Sequence, residues 1–123
     1  MAYDRDNIFA KILRGEIPCA KVFEDDHVLA FEDINPQAPH HVLVIPKGEY
    51  VSMDDFSAQA SDAEIAAVIR ALGHIARELG VAEPGYRILS NCGSDGHHEV
   101  PHLHFHLFAG RPLGRMIKPP EKA

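Results

Sequence analysis

His102, His104 and His106 stand on alternate residues near the end of the chain, with Leu103, Phe105 and Leu107 between them. Neutral imidazole is a nucleophile, a proton carrier near pH 7 and a metal ligand. Strict alternation predicts a β-strand over residues 102–108, because successive side chains point to opposite faces. One face is then apolar. The other carries three imidazoles about 6.6 Å apart, twice the rise per strand residue. An apolar core has no use for such a row, so it must meet water, a metal or a substrate.

Three roles fit such a row. A metal can be shared by strand histidines at i and i+2, and three neutral imidazoles make a catalytic zinc site. The outer two of the trio stand roughly 13 Å apart at the backbone, however. A single ion would need two of them plus His41 or another distant group. The second role is nucleophilic attack on phosphorus, with neighbouring imidazoles protonating the leaving group and holding phosphate oxygens. The third is a row of exposed histidines with no task. The glycine-bearing loop beside the trio, with Gly93 and Gly96, favours one of the first two.

Other elements must position this row. Asp6 is expected to cap a helix over residues 7–14 that Gly15 ends, with Ile8, Phe9, Ile12 and Leu13 on one face. Residues 21–23 and 28–31 read as two short strands around a Glu24-Asp25-Asp26-His27 turn. Asn35-Pro36-Gln37-Ala38-Pro39 is a loop. Residues 42–45 form an apolar, largely β-branched run that Pro46 ends, which predicts a buried strand. Ser61-Asp62-Ala63-Glu64 is a capping box opening the clearest helix. Its expected buried stripe is Ile65, Val68, Ile69, Leu72, Ile75, Ala76 and Leu79, with Gly80 closing it. Residues 86–90 read as a further strand. Residues 110–123 read as an exposed tail. Two helices and a mainly antiparallel sheet make an α+β domain, and small open sheets often complete themselves by dimerising.

Composition narrows the function classes. The 123 residues suit one domain over 1–123, and a net charge of −6 argues against general nucleic-acid binding. Cys19 and Cys92 show no disulfide or metal-knuckle spacing and read as reduced, partly buried thiols. There is no membrane-span pattern and no signal-peptide pattern, which fits a cytoplasmic location.

His102-Leu103-His104-Phe105-His106-Leu107-Phe108 resembles the His-φ-His-φ-His-φ-φ signature of the histidine-triad (HIT) superfamily. The segments 6–12, 15–18, 31–39, 41–47 and 93–96 resemble its Hint branch in the right order. Gly110-Arg111-Pro112-Leu113-Gly114 resembles the bacterial members. The resemblance implies a five-stranded antiparallel sheet with two helices, and two protomers joined edge to edge into a ten-stranded sheet. It implies cleavage of nucleoside 5′-phosphoramidates or acyl-nucleotides through a nucleotidyl-histidine, releasing a nucleoside monophosphate with no metal or other cofactor. A dinucleoside polyphosphate hydrolase of the Fhit type and a non-catalytic nucleotide- or metal-binding partner protein are the alternatives.

By that resemblance His104 is the nucleophile, His106 holds phosphate oxygens, His102 orients the site and His41 is the family's fourth histidine. Ile8, Phe9, Phe31, Ile34 and Leu43 form the nucleoside pocket, and each also suits ordinary core. Asp33 accepts both ribose hydroxyls, or else is a turn residue. Asn91 contacts the phosphate region, or else is a turn asparagine. His98 and Glu99 depart from the family's usual Gln and, in its animal members, Ser. Glu99 repels a phosphate or binds an amine leaving group. Pro101 replaces a Tyr of several relatives. Asn7 and Ala10 replace the cysteines that hold structural zinc in some bacterial relatives. The tail lacks the Trp of animal Hint proteins. His40, Lys11 and Lys47 read as bystanders, and Arg111 remains open.

Overall fold

A computed structural model describes residues 2–117. The elements run α1 (Ile8–Leu13), β1 (Lys21–Glu24), β2 (Val28–Glu32), β3 (His40–Pro46), α2 (Met53–Gln59), α3 (Asp62–Glu78), β4 (Tyr86–Leu89) and β5 (Phe105–Ala109). The strands form one antiparallel sheet in the order β1-β2-β3-β5-β4. Among the described residues there are three helices, where two are expected from the sequence. The additional one, α2, is short and buries only Phe56. Its start carries a local signal, a capping box from Ser52 to Asp55.

Sheet alternation divides the core in two. Val28, Ala30, Val42, Val44, Leu103, Phe105 and Leu107 pack with Val68, Leu72 and Ile75 of α3. On the opposite face Leu29, Phe31, Leu43 and Ile45 pack under Phe9 of α1. β3 is therefore buried on both faces, which is why its sequence is apolar throughout rather than alternating. Ile69, expected in the α3 stripe, is instead 59% exposed.

Two ends differ from expectation. Asn7, not Asp6, is the N-cap of α1. Its side chain accepts from the Ala10 N–H at 2.9 Å while its amide donates to the Asp4 carbonyl at 2.7 Å. The histidine-bearing strand begins at Phe105 rather than at 102. The His102 N–H bonds the Val100 carbonyl across Pro101, a tight turn suited to proline. The Leu103 N–H then leaves the sheet for the Tyr50 carbonyl at 2.8 Å. Cys92 is exposed, while Cys19 is half-buried. The expected tail over 110–123 lies partly outside the described residues. Its described start is mostly exposed, yet the Arg87 guanidinium holds the Gly114 carbonyl at 2.8 Å.

Candidate active site

The α1 face of the sheet is only partly covered, and a cavity of about 720 Å3 opens beside α1. That size is typical of small-molecule sites. Of the pocket residues expected from the sequence, Ile8, Phe9, Phe31, Ile34 and Leu43 all line it. Asp33, His41, Asn91, Glu99, His104 and His106 line it too. Ile34 is 95% exposed and stands at the rim. Other lining residues that the sequence did not single out for the pocket include Ile12, Cys19 and Leu89.

Two expected site residues stand apart. His102 is fully buried and does not line the cavity, so the trio does not present three accessible imidazoles. The chain bends at Pro101, and the first histidine turns into the protein. His98 is also absent from the wall. Its ring lies 5.7 Å from that of His104, and its Nε2 is buried without a partner among the described residues. His97 faces the cavity in its place, held in a left-handed conformation (φ 57°), and pairs with Glu99 at 2.9 Å.

Fixed partners assign the tautomers of four imidazoles. The His104 Nδ1 lies 2.7 Å from the His102 carbonyl, which only accepts, so Nδ1 carries the proton. The Nε2 of neutral His104 therefore keeps its lone pair. His102 donates from Nε2 to the Pro46 carbonyl at 2.9 Å and accepts at Nδ1 from the Tyr3 hydroxyl. The Gln37 backbone N–H donates to His41 Nδ1 at 3.1 Å, so neutral His41 holds its proton on Nε2. That proton points to His106 Nδ1 at 2.9 Å, which leaves His106 with an Nε2–H. A lone pair and a donor thus stand on neighbouring rings whose centroids are 5.1 Å apart.

Supporting contacts hold this arrangement. The Phe9 ring meets His104 edge to face at 5.0 Å. Phe108 stacks parallel to His106 at 5.6 Å and lies 4.2 Å from His41. The Ser90 hydroxyl donates to the His104 carbonyl at 2.8 Å. The Arg111 guanidinium holds the Gln37 carbonyl at 3.1 Å, steadying the loop whose N–H sets His41. Gly110, at φ 104°, makes that approach possible, since a Cβ there would come 2.7 Å from Pro39 Cβ. Lys47, expected at the surface, pairs with Glu24 at 2.7 Å.

Burial pushes His102 and His106 down to about 4. Burial also lowers His104, against the pull of the His102 carbonyl, and lowers His41, against that of Asp33. All four are neutral at pH 7.

Asp33, His41 and His106 offer ligand atoms within 4.8 Å of one another. Their protons suit a hydrogen-bond chain better than an ion. The Gln37 N–H occupies His41 Nδ1 and so places a proton on Nε2, the atom facing the cluster. The 2.9 Å between His41 and His106 is a hydrogen-bond length. Two ligands of a tetrahedral zinc lie roughly 3.3 Å apart.

An α+β domain that brings neutral, tautomer-fixed imidazoles from β3, from β5 and from the segment leading into β5 to a small-molecule cavity defines a protein of the histidine-triad class. The chain belongs to the HIT domain family, which matches residues 14–113. It is similar to an uncharacterized HIT-like protein of Azospirillum brasilense, 70% identical over 94% of each chain. It is 46% identical to the purine nucleoside phosphoramidase of Escherichia coli K12, over 91% of this chain and 93% of that protein. A histidine triad protein of Clostridium difficile has the same fold, with TM-score 0.82 and 45% identity, over 94% of this chain and all of that one.

Proposed function

We propose that this chain is a nucleotide hydrolase that cleaves nucleoside 5′-phosphoramidates or acyl-nucleotides through a covalent intermediate on His104. One observation carries this: the His104 Nδ1–H is spent on the His102 carbonyl, so the lone pair of Nε2 is left for attack at the cavity. Nε2 bonds to the α-phosphorus as the P–N or P–O bond breaks, and the departing group leaves with a proton drawn from solvent water at the open cavity, a proton that the attacking water of the second step returns. Water then attacks phosphorus, releasing the nucleoside monophosphate and restoring the imidazole. The His106 Nε2–H donates to a phosphate oxygen throughout, an interaction that strengthens as charge builds there. His41 keeps that donor in place, and the role falls to positioning and charge stabilisation. The similarity to a purine nucleoside phosphoramidase supports this substrate class.

The apolar wall of Phe9, Phe31 and Leu43 suits a nucleoside. Asp33 lines the same cavity with its side chain 18% exposed, and accepts the ribose hydroxyls. Asp33→Ala should raise KM for adenosine 5′-phosphoramidate about tenfold or more, and only weakly for the 2′,3′-dideoxy analogue. Equal rises for both would remove Asp33 from ribose recognition. Glu99, at the cavity and 74% exposed, accepts from an amine leaving group. Asn91 serves the phosphate end, and His98 acts from behind His104.

The direct test is turnover of a fluorogenic adenosine phosphoramidate, with and without excess chelator. Activity retained in chelator supports the reading, and activity lost there returns the site to a metal. A substrate panel with dinucleoside polyphosphates separates the Fhit-type alternative.

Two protomers joining at the β4 edge would give a ten-stranded sheet. β4 ends the strand order, and Tyr86, Ile88 and the α3 residue Ile69 are exposed on the free chain. Sedimentation should report twice the chain mass of 13.6 kDa. A monomer at micromolar concentration would rule this out. Among the described residues no helix is long and apolar enough to cross a membrane, and we place the protein in the cytoplasm.

A further inference from the structure

The geometry points to Tyr3 as a positioning residue for His104, acting through His102; this rests on the hydrolase reading above. Tyr3 precedes α1 and belongs to no regular element. Its hydroxyl nonetheless reaches His102 Nδ1, 99 residues further along the chain. The two rings meet edge to face at 5.5 Å and 70°.

His102 is the link. Its side chain is fully buried and engaged at both nitrogens, by Tyr3 on Nδ1 and by the Pro46 carbonyl on Nε2. Its N–H is taken by the Val100 carbonyl at 2.8 Å. Its own carbonyl, the remaining polar group, accepts the His104 Nδ1–H at 2.7 Å. The residue that fixes the nucleophile's tautomer is thus itself held by Tyr3.

Without the hydroxyl, Nδ1 of His102 becomes a buried acceptor with no partner, which is costly. The ring can relieve this by moving its proton or turning. Either movement disturbs the Pro46 contact and shifts the backbone carbonyl that orients His104. The substrate does not touch Tyr3, which is outside the cavity wall. Binding should therefore survive while the chemical step suffers, since small misplacement of a reacting group slows chemistry steeply. The segment before α1 then acts as a strap across the back of the site. It is held as well by the Arg14 guanidinium on the Arg5 carbonyl at 2.7 Å and by the Arg5–Glu49 pair at 3.0 Å.

Tyr3→Phe tests this, because it keeps the ring and removes only the donor. With adenosine 5′-phosphoramidate, kcat per folded molecule should fall roughly tenfold while KM stays within about twofold. The 15N resonance of His102 Nδ1 should move toward that of an unbonded imine nitrogen. An unchanged kcat, or a loss seen only in KM, overturns the proposal. If the variant does not fold, the wild-type spectrum decides. A hydrogen-bonded, unprotonated Nδ1 on His102 supports the strap, and a protonated Nδ1 overturns it. If wild-type protein hydrolyses no phosphoramidate, the hydrolase reading fails, and the 15N spectrum still reports on the Tyr3 bond.

Discussion

His104→Ala should lower phosphoramidate turnover by about ten-thousandfold or more, while AMP still binds within roughly tenfold of its wild-type affinity. The asymmetry follows from the site. His104 contributes one side of a cavity whose apolar wall comes largely from α1, β2 and β3, so its loss leaves standing the wall proposed to hold the nucleoside. The lone pair of Nε2 has no substitute. The other cavity imidazole of the trio, His106, presents a protonated Nε2 because His41 holds its Nδ1. Stopped turnover followed by mass spectrometry should trap a nucleotide adduct on the wild-type chain and none on the variant. A variant retaining more than about a tenth of wild-type kcat would remove His104 from the nucleophile's role.

Acid should unfold this protein earlier than its carboxylates alone would dictate. Four histidines are held neutral by burial, with His102 and His106 at about 4 and His104 and His41 below their ordinary value. The unfolded chain takes up protons at these groups near pH 6.5, and the folded chain takes them up at lower pH. Stability from this source is complete above about pH 6.5 and drains away as pH falls toward 4. The shifted carboxylates Glu16, Glu24, Asp55 and Glu64 all lie low, so they remain ionised through most of that window. The Tm should drop by at least roughly 5 °C between pH 7 and pH 5. Burial lowers His104, so its neutral form, the one the proposed attack uses, should persist to lower pH than that of a free imidazole, and catalysis per folded molecule with it. A Tm flat from pH 7 to 5 would mean that the imidazoles are charged or exposed.

Much of the scaffold was legible from residue order because its signals are local. The Ser61 capping box, the apolar run of β3 and the hairpin turn at Asp25 each act within a few residues. Asp25, for example, accepts from the His27 and Val28 N–H groups at 2.8 Å. α2 leaves no periodicity in the sequence, because it buries one residue, although Ser52 and Asp55 mark its start. Alternation of histidines revealed chemistry but overran the strand, since Pro101 and the Tyr50 carbonyl redirect the backbone before Phe105. It also could not separate an imidazole aimed at a cavity from one packed in the interior, because α1 covers only one end of the row. Tyr3 and the Gln37 amide carried no signal at all. One acts across nearly the whole chain, and the other is a backbone group that any residue supplies.

β3 grips the histidine row at two points, His41 on His106 near its beginning and the Pro46 carbonyl on His102 at its end. The strand therefore serves as a gauge block whose length sets the spacing of the imidazole frame. Adding or deleting one residue inside it would reverse every side chain beyond the change and release one of the two grips. A change of length in this span would therefore reach both ends of the imidazole row at once.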